Sequence, residues 1–175
     1  EVDDVLVVSG PIGQHGAAVL CARDELDFNP APISDCASVA APLLALQQSG
    51  LTPRTARDAT RGGVAAVLHE WAAASGRGMD IDETRLPVSP AVRAVCELLG
   101  LDPLFLACEG TFVAVWPRQQ VDAVLAMLRQ YPITQSAAVF GRVVPARSSP
   151  VCVVRAAGSL MPLDEPAGSP LPRIC

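Results

Sequence analysis

The stretch Val5-Leu-Val-Val-Ser-Gly-Pro-Ile-Gly-Gln-His-Gly16 leads from an apolar run through a glycine-rich turn into a short helix. The aliphatic residues at its start predict a buried β-strand, and glycines spaced Gly-x-x-Gly-x-x-Gly follow it. Glycines let backbone N–H groups approach an anion, which a helix N-terminus also favours. We therefore predict Gly13 and His15 as phosphate-contacting residues, with a purely structural turn as the alternative.

Further helices are predicted from capping residues and from apolar residues at helical spacing. Ser34, Asp35 or Ser38 is expected to cap a helix that ends at Gly50. The other predicted helices cover residues 17–23 and 63–75, residues 90–99 with Ser89 as cap and Gly100 at the end, and a segment opened by Pro117.

The strand patterns complete an α/β domain. Strands are predicted at residues 5–8, 79–81, 112–116, 138–144 and 151–155, with a short strand or bridge at 104–108, and the strands at 138–144 and 151–155 are expected to form a hairpin. This pattern predicts one mixed β-sheet with helices mainly on one face, over residues 1–157. Residues 158–175 are rich in proline and predict a flexible C-terminal tail.

Composition excludes several classes of function. All 13 basic residues are arginine, so neither a Schiff-base lysine nor a phosphate-loop lysine is available. A net charge of −5 argues against nucleic-acid binding, and no apolar run of about 18 residues predicts a membrane span. The six cysteines show neither zinc-site nor disulfide-like spacing, so we expect no metal site and a cytoplasmic location.

A second motif, Arg57-Asp-Ala-Thr-Arg-Gly-Gly63, stands at the start of the helix over residues 63–75. Asp58 or Thr60 is predicted to cap this helix, and Arg57 and Arg61 could face a phosphate or a carboxylate. The candidate phosphate-binding residues here are Asp58, Thr60, Arg61, Gly62 and Gly63. An ordinary cap with solvated arginines is the alternative.

A third motif, Ala107-Cys-Glu-Gly110, places a carboxylate in a tight turn among apolar residues. A partly desolvated Glu109 would suit a general base or acid, and a solvated turn glutamate is the alternative. The last residue of the sequence, Cys175, follows Leu171-Pro-Arg-Ile174. Because terminal residues pack little, a thiol there is better suited to chemistry than to structure.

The three motifs, in this order and together with the Leu171 to Cys175 ending, resemble the HypE family of hydrogenase expression/formation proteins. This family belongs to the aminoimidazole-ribonucleotide-synthetase-like superfamily of ATP-using proteins. Residues 9–16, 57–63, 96–103, 107–110 and 171–175 carry the resemblance, and the terminal motif is the most specific of them. The resemblance is to the carboxy-terminal half only, so the family's amino-terminal ATP-binding domain is expected to be absent from this chain.

The resemblance implies an ATP-dependent carbamoyl dehydratase that serves [NiFe] hydrogenase maturation. By this resemblance Cys175 receives a carbamoyl group from a carbamoyltransferase, and dehydration of the thiocarboxamide to a thiocyanate supplies the cyanide ligands of iron. Glu109 matches the glutamate that takes protons from the carbamoyl nitrogen. The resemblance also implies ATP and Mg²⁺ bound mainly by the missing domain, an iron-carrying scaffold complex as partner and a homodimer. The chain alone is expected to be inactive and to bind no cofactor.

Some positions depart from the family, and other functions remain as alternatives. The family usually has Asp where this chain has Gln14 and often a basic residue where it has Thr111, so a metal or proton role of Gln14 and a phosphate contact of Thr111 are not expected. It usually has Pro where this chain has Ala59, a difference that should only loosen the turn. One alternative is a non-catalytic docking module for maturation partners. Another is a different ATP-dependent member of the superfamily, which would not need Cys175. A third is an unrelated thiol enzyme that uses His15 or His69.

Overall fold

The aliphatic run quoted above forms β1 (Val5–Val8), a strand inside a seven-stranded mixed sheet. The computed structural model describes residues 1–166. The sheet order is β2-β4-β1-β5-β3-β6-β7. The other strands are β2 (Thr55–Asp58), β3 (Gly78–Asp82), β4 (Phe112–Trp116), β5 (Ala138–Val144), β6 (Val151–Val154) and β7 (Leu160–Pro162).

Helices pack on both faces of this sheet, and the predicted α/β class is confirmed. The helices are α1 (Gln14–Arg23), α2 (Ala40–Gln48), α3 (Gly63–Ser75), α4 (Pro90–Leu99) and α5 (Val121–Leu128). Side chains of β1 alternate: Leu6 and Val8 join one core with α3, whereas Val5 and Val7 join a second core with α2 and α5. A strand buried on both faces reads as a continuous apolar run, and it requires cover on both sides. The expected placement of helices mainly on one face therefore describes only part of the arrangement.

The predicted hairpin between β5 and β6 is wrong, because β3 lies between the two strands. β5 pairs with β3 in antiparallel orientation, and β6 pairs with β3 in parallel. The connection crosses the first residue of β3, Gly78. A Cβ atom at this position would lie 2.9 Å from the carbonyl oxygen of Pro145 and 2.8 Å from a methyl group of Val144. The missing side chain at Gly78 is what lets the connection pass.

The predicted N-terminal caps of the helices agree with the structure only in part. Ser89 caps α4, since its Oγ accepts a hydrogen bond from Val92 N–H, as predicted. Val39 is the N-cap of α2, so neither Ser34 nor Asp35 caps this helix, but Ser38 Oγ accepts a hydrogen bond from the N–H of its first residue, Ala40, at 3.3 Å. The N-cap of α3 is Gly62, with φ 73° and no side-chain cap.

Several other local features differ from the sequence prediction. Asp58 ends strand β2 and Thr60 lies in the connection to α3, so neither residue caps the helix. The strand predicted at residues 104–108 is a 3₁₀ turn at Pro103–Phe105, begun by Asp102. Sheet pairing continues beyond residue 157, where the sequence predicted a tail, because β7 pairs with β6. Within residues 1–166, no helix has both the length and the apolar character needed to span a membrane.

An ion-pair cluster holds the end of β6 to the segments that follow β3 and α4. Arg155 donates to Glu83 and to Asp102, each at 2.8 Å. Burial by itself would raise the pKa of Glu83, but hydrogen bonds from Arg155 and from Ala156 N–H outweigh it, and the pKa is lowered. A lowered carboxyl pKa contributes stability above the ordinary pKa, and that stability is lost as the pH falls.

Replacing Arg155 with Met should lower the free energy of unfolding by about 1–2 kcal/mol at neutral pH, because two partly buried carboxylates lose their donor. Urea titration measures this difference. The difference should shrink as the pH falls below about 4.3, the ordinary pKa of a glutamate. The control is Arg77→Met, at an exposed arginine outside the ion pairs of the described chain, which should change stability by less than about 0.5 kcal/mol. An equal loss in both variants would contradict a specific cluster.

Candidate functional site

The three glycine-containing motifs meet at the segment around Cys108. Cys108 N–H donates to the carbonyl oxygen of Ala59 in the second motif, at 2.9 Å. Gly13 N–H, in the first motif, donates to Cys108 Sγ at 3.2 Å. Gly16 N–H donates to the carbonyl oxygen of Ala107 at 2.9 Å. Buried backbone groups must find partners, and here the motifs supply partners to one another.

Cys108 is a structural thiol rather than a nucleophile. Its side chain is fully buried, and burial raises its pKa to about 12, although the hydrogen bond from Gly13 acts in the opposite direction. The group is therefore a neutral thiol at physiological pH. In this structure the Gly13 N–H is directed to sulfur, while His15 Nδ1 lies 2.9 Å from Ser34 Oγ.

The second motif packs tightly at the start of α3. A Cβ atom on Gly63 would lie 2.5 Å from the carbonyl oxygen of Leu104 and 2.6 Å from that of Leu106, so only glycine fits. Thr60 accepts a hydrogen bond from Gly63 N–H through its carbonyl oxygen. Arg61 is exposed beside this helix start. An exposed arginine at a helix N-terminus is an arrangement that can receive a phosphate group.

Arg57 has a carboxylate partner, one of the two kinds of partner that the sequence predicted for it. Arg57 forms an ion pair with Glu70 on α3, so its charge is already compensated within the domain. Thr111 is buried, and its Oγ1 donates to the carbonyl oxygen of Pro11 at 3.0 Å. Asp58 is exposed at the end of β2.

Glu109 is exposed at the tip of the third motif, which agrees with the alternative of a solvated turn glutamate rather than with a partly desolvated one. The backbone at this tip is held by a residue that the sequence assigned to a helix cap. Asp35 Oδ1 accepts from Glu109 N–H at 3.1 Å, and Asp35 Oδ2 accepts from Gly110 N–H at 3.0 Å. The separation of 74 residues between Asp35 and Glu109 left no local signal for this contact.

The described end of the chain runs along α3 toward the second motif. Leu163 is buried, and its carbonyl oxygen accepts a hydrogen bond from His69 Nε2 on α3, at 3.0 Å. A Cβ atom built on Gly62 would lie 3.6 Å from the ring of Pro166, the last described residue. The carrier residue expected from sequence, Cys175, lies outside the described residues.

Two other kinds of site, a metal site and a surface groove, were considered in the described residues. Among residues 1–166, no group of three His, Cys, Asp or Glu side chains is placed to hold a metal ion. A groove of about 670 Å³ lies around Asp80, Val139 and Arg142 and contains none of the predicted site residues.

Sequence comparisons with known proteins relate the chain to one protein family. Residues 1–153 match the family described as AIR synthase related protein, C-terminal domain. The chain is 46% identical over 172 residues to carbamoyl dehydratase HypE of Escherichia coli strain K12, covering 98% of this chain and 50% of that protein. It is 41% identical over 172 residues to carbamoyl dehydratase HypE of Rhodobacter capsulatus, covering 98% and 51%. The chain thus spans about half the length of the curated relatives it matches.

Solved structures of similar proteins extend this result to the fold. A crystal structure of E. coli HypE, described as a hydrogenase maturation protein, matches with a TM-score of 0.92 at 45% identity, covering 100% of this chain and 53% of that one. A structure of HypE in complex with ATP matches at 0.91 and 35%, covering 97% and 52%. A HypE–HypF complex matches at 0.89 and 36%, covering 95% and 54%.

Alkylation of the folded protein should distinguish the cysteines by burial. Cys36 is exposed and should react readily with iodoacetamide. Cys96 and Cys108 should react only after denaturation, because burial raises the pKa of Cys96 to about 11 and that of Cys108 to about 12. Peptide mapping by mass spectrometry assigns each modified residue. Rapid labelling of Cys108 in the native protein would show that its packing is wrong.

Proposed function

Because the chain belongs to the family of AIR synthase related C-terminal domains and is similar to HypE over almost its entire length, we propose that it is the carboxy-terminal half of a hydrogenase-maturing carbamoyl dehydratase. Its similarity to carbamoyl dehydratase HypE, a hydrogenase maturation protein, supports this role. The activity is that of the whole protein, since the chain spans about half of its relatives.

In the proposed reaction Cys175 carries a carbamoyl group as a thiocarboxamide. The carbamoyl oxygen attacks the γ-phosphorus of ATP, and ADP leaves. The carbamoyl nitrogen loses two protons, the C–O bond breaks with release of phosphate, and a thiocyanate remains on Cys175. The cyano group is then passed to iron for [NiFe] hydrogenase. Glu109 is proposed as the base that accepts a proton from the carbamoyl nitrogen.

The path of the chain along α3 is the observation that carries this proposal. Pro166 lies beside Gly62, and Cys175 is the ninth residue after Pro166. An extended chain covers at most about 3.3–3.6 Å per residue, so Cys175 can reach roughly 30 Å from that point. The Ala59–Cys108 hydrogen bond ties the second motif directly to the turn that bears Glu109. The second and third motifs therefore lie within reach of the terminal thiol.

ATP is proposed to contact this half of the protein through its glycine turns and to be held mainly by the other half, with Mg²⁺. The HypE complex with ATP supports nucleotide binding by the whole protein. An exposed Arg61 at the start of α3 supports a phosphate contact there. The residues proposed to line the nucleotide or substrate are Gly13, His15, Asp58, Thr60, Arg61, Gly62 and Gly63.

The proposed partners follow from the same chemistry. A carbamoyltransferase must load Cys175, and the HypE–HypF complex supports such a partner. An iron-carrying scaffold complex would accept the cyano group, and a homodimer and a cytoplasmic location complete the proposal. The alternative of a docking module without catalysis is favoured by the exposure of Glu109 in the described chain. The experiments below separate the two.

Incubation of the full-length protein with its carbamoyltransferase, carbamoyl phosphate and ATP should add mass to Cys175 alone. Cys175 is the proposed carrier, whereas Cys96 and Cys108 are buried and closed to a partner protein. Peptide mass spectrometry locates the modification, and Cys36→Ser is the control that should leave it unchanged. Modification of another cysteine while Cys175 stays free would refute the assignment.

Replacing Glu109 with Gln in the full-length protein should leave carbamoylation of Cys175 intact and slow the dehydration about 10²–10⁴-fold. Gln keeps the size of the side chain but cannot accept the proton. Loss of one water from the tail peptide measures the second step. Glu97→Gln, at an exposed glutamate on α4, is the matched control. Dehydration at the unaltered rate in the Glu109 variant would favour the docking module.

A further inference from the structure

The carboxylate of Asp35 is the structural support of the turn that bears Glu109. Its two oxygens accept hydrogen bonds from two consecutive backbone N–H groups, those of Glu109 and Gly110, at 3.1 and 3.0 Å. Hydrogen bonds to a charged acceptor are about twice as strong as neutral ones. Two such bonds to neighbouring peptide groups fix both the position and the orientation of the turn.

The loop around Asp35 is itself anchored on the first motif. Gln14 Nε2 donates to the carbonyl oxygen of Ile33 at 3.1 Å, and His15 Nδ1 lies 2.9 Å from Ser34 Oγ. Ser34 Oγ also accepts from Cys36 N–H at 3.1 Å. Residues on both sides of Asp35 are thus held, so the carboxylate is presented to the turn at a defined position.

Gly110 allows the loop to approach closely enough for these bonds to form. A Cβ atom at Gly110 would lie 1.8 Å from the carbonyl oxygen of Asp35 and 3.3 Å from the backbone nitrogen of Ala37. No side chain fits in that space without moving the loop. Gly110 and Asp35 therefore act together. The missing side chain at Gly110 leaves room for the Asp35 loop, and the Asp35 carboxylate accepts a hydrogen bond from Gly110 N–H.

We propose that Asp35 is a positioning residue for the chemistry of Glu109, an inference that rests on the proposed dehydratase function. The carboxylate holds the Glu109–Gly110 backbone so that the exposed Glu109 side chain starts from a fixed point. A general base must lie within hydrogen-bond distance of the proton that it accepts. If the turn that bears the base is displaced, proton transfer and therefore the dehydration become slower. The role proposed for Asp35 is exerted through the Glu109–Gly110 backbone, without contact to the carbamoyl group or the nucleotide.

The chemistry of the side chain explains why an aspartate is needed. Asn has one acceptor oxygen and one amide NH₂ group, so Asp35→Asn would set a donor against one of the two backbone N–H groups. Ala would leave both N–H groups without their protein acceptor. The two substitutions remove one and two hydrogen bonds, and they should act in that order.

The test uses the full-length protein with its carbamoyltransferase, carbamoyl phosphate and ATP, and follows both steps on the tail peptide by mass spectrometry. Asp35→Asn should slow dehydration about tenfold to a hundredfold, and Asp35→Ala should slow it further. The rate of carbamoylation and the KM for ATP should stay within about twofold of the unaltered protein. Ser38→Ala in the same loop, where Ser38 Oγ accepts only from Ala40 N–H in the described chain, should change neither step.

A double variant distinguishes a role of Asp35 through Glu109 from a purely structural role, because only the former makes the effects of the two substitutions on dehydration non-additive. If Asp35 acts through Glu109, then Asp35→Asn combined with Glu109→Gln should be no slower than Glu109→Gln alone. Multiplied effects, or a parallel loss of carbamoylation in Asp35→Asn, would overturn the inference. If Glu109→Gln slows dehydration and Asp35→Asn does not, only this inference fails. If Glu109→Gln itself has no effect, the proposed function fails first.

Discussion

The hydrogen bonds around Cys108 are the interactions on which the rest of the candidate site depends. The backbone of this residue binds Ala59, and its sulfur accepts from Gly13, so two distant turns are fixed to one buried point. The thiol is small and neutral, and it can lie in a core where a charged acceptor would be costly. The geometry of all three motifs thus rests on buried backbone groups satisfying one another.

The two-sided core places this buried point at one end of the sheet. β1 leads into the first motif and β2 into the second, while β4 follows the third. β1 and β2 both pair with β4 in antiparallel orientation, so their C-terminal ends lie beside the N-terminal end of β4. The three motifs therefore lie at the same end of these strands. Loops at one end of the strands of a rigid sheet commonly assemble a site from residues far apart in sequence.

The candidate site joins a buried, closely packed backbone segment to an exposed side chain. Cys108 is fully buried and Glu109, the next residue, is exposed, so the chain passes from core to solvent within one peptide unit. Asp35 lies on the outer side of this transition and binds the same turn through its carboxylate. The path of residues 163–166 along α3 brings the chain beside Gly62 in the second motif. The proposed reaction, in which the substrate is carried on the protein's own chain, makes use of this arrangement.

The sequence by itself determined the features that depend on neighbouring residues. It predicted α3 and α4 and the strands β1, β3 and β4, because caps, apolar spacing and aliphatic runs act within a few residues. The tertiary structure alone decided the placement of β3 between β5 and β6 and the role of Asp35 at the Glu109 turn. Each of these depends on hydrogen bonds between backbone or side-chain groups distant in the chain, and a carboxylate near a predicted helix start looks the same in sequence whether it caps that helix or binds a turn 74 residues away.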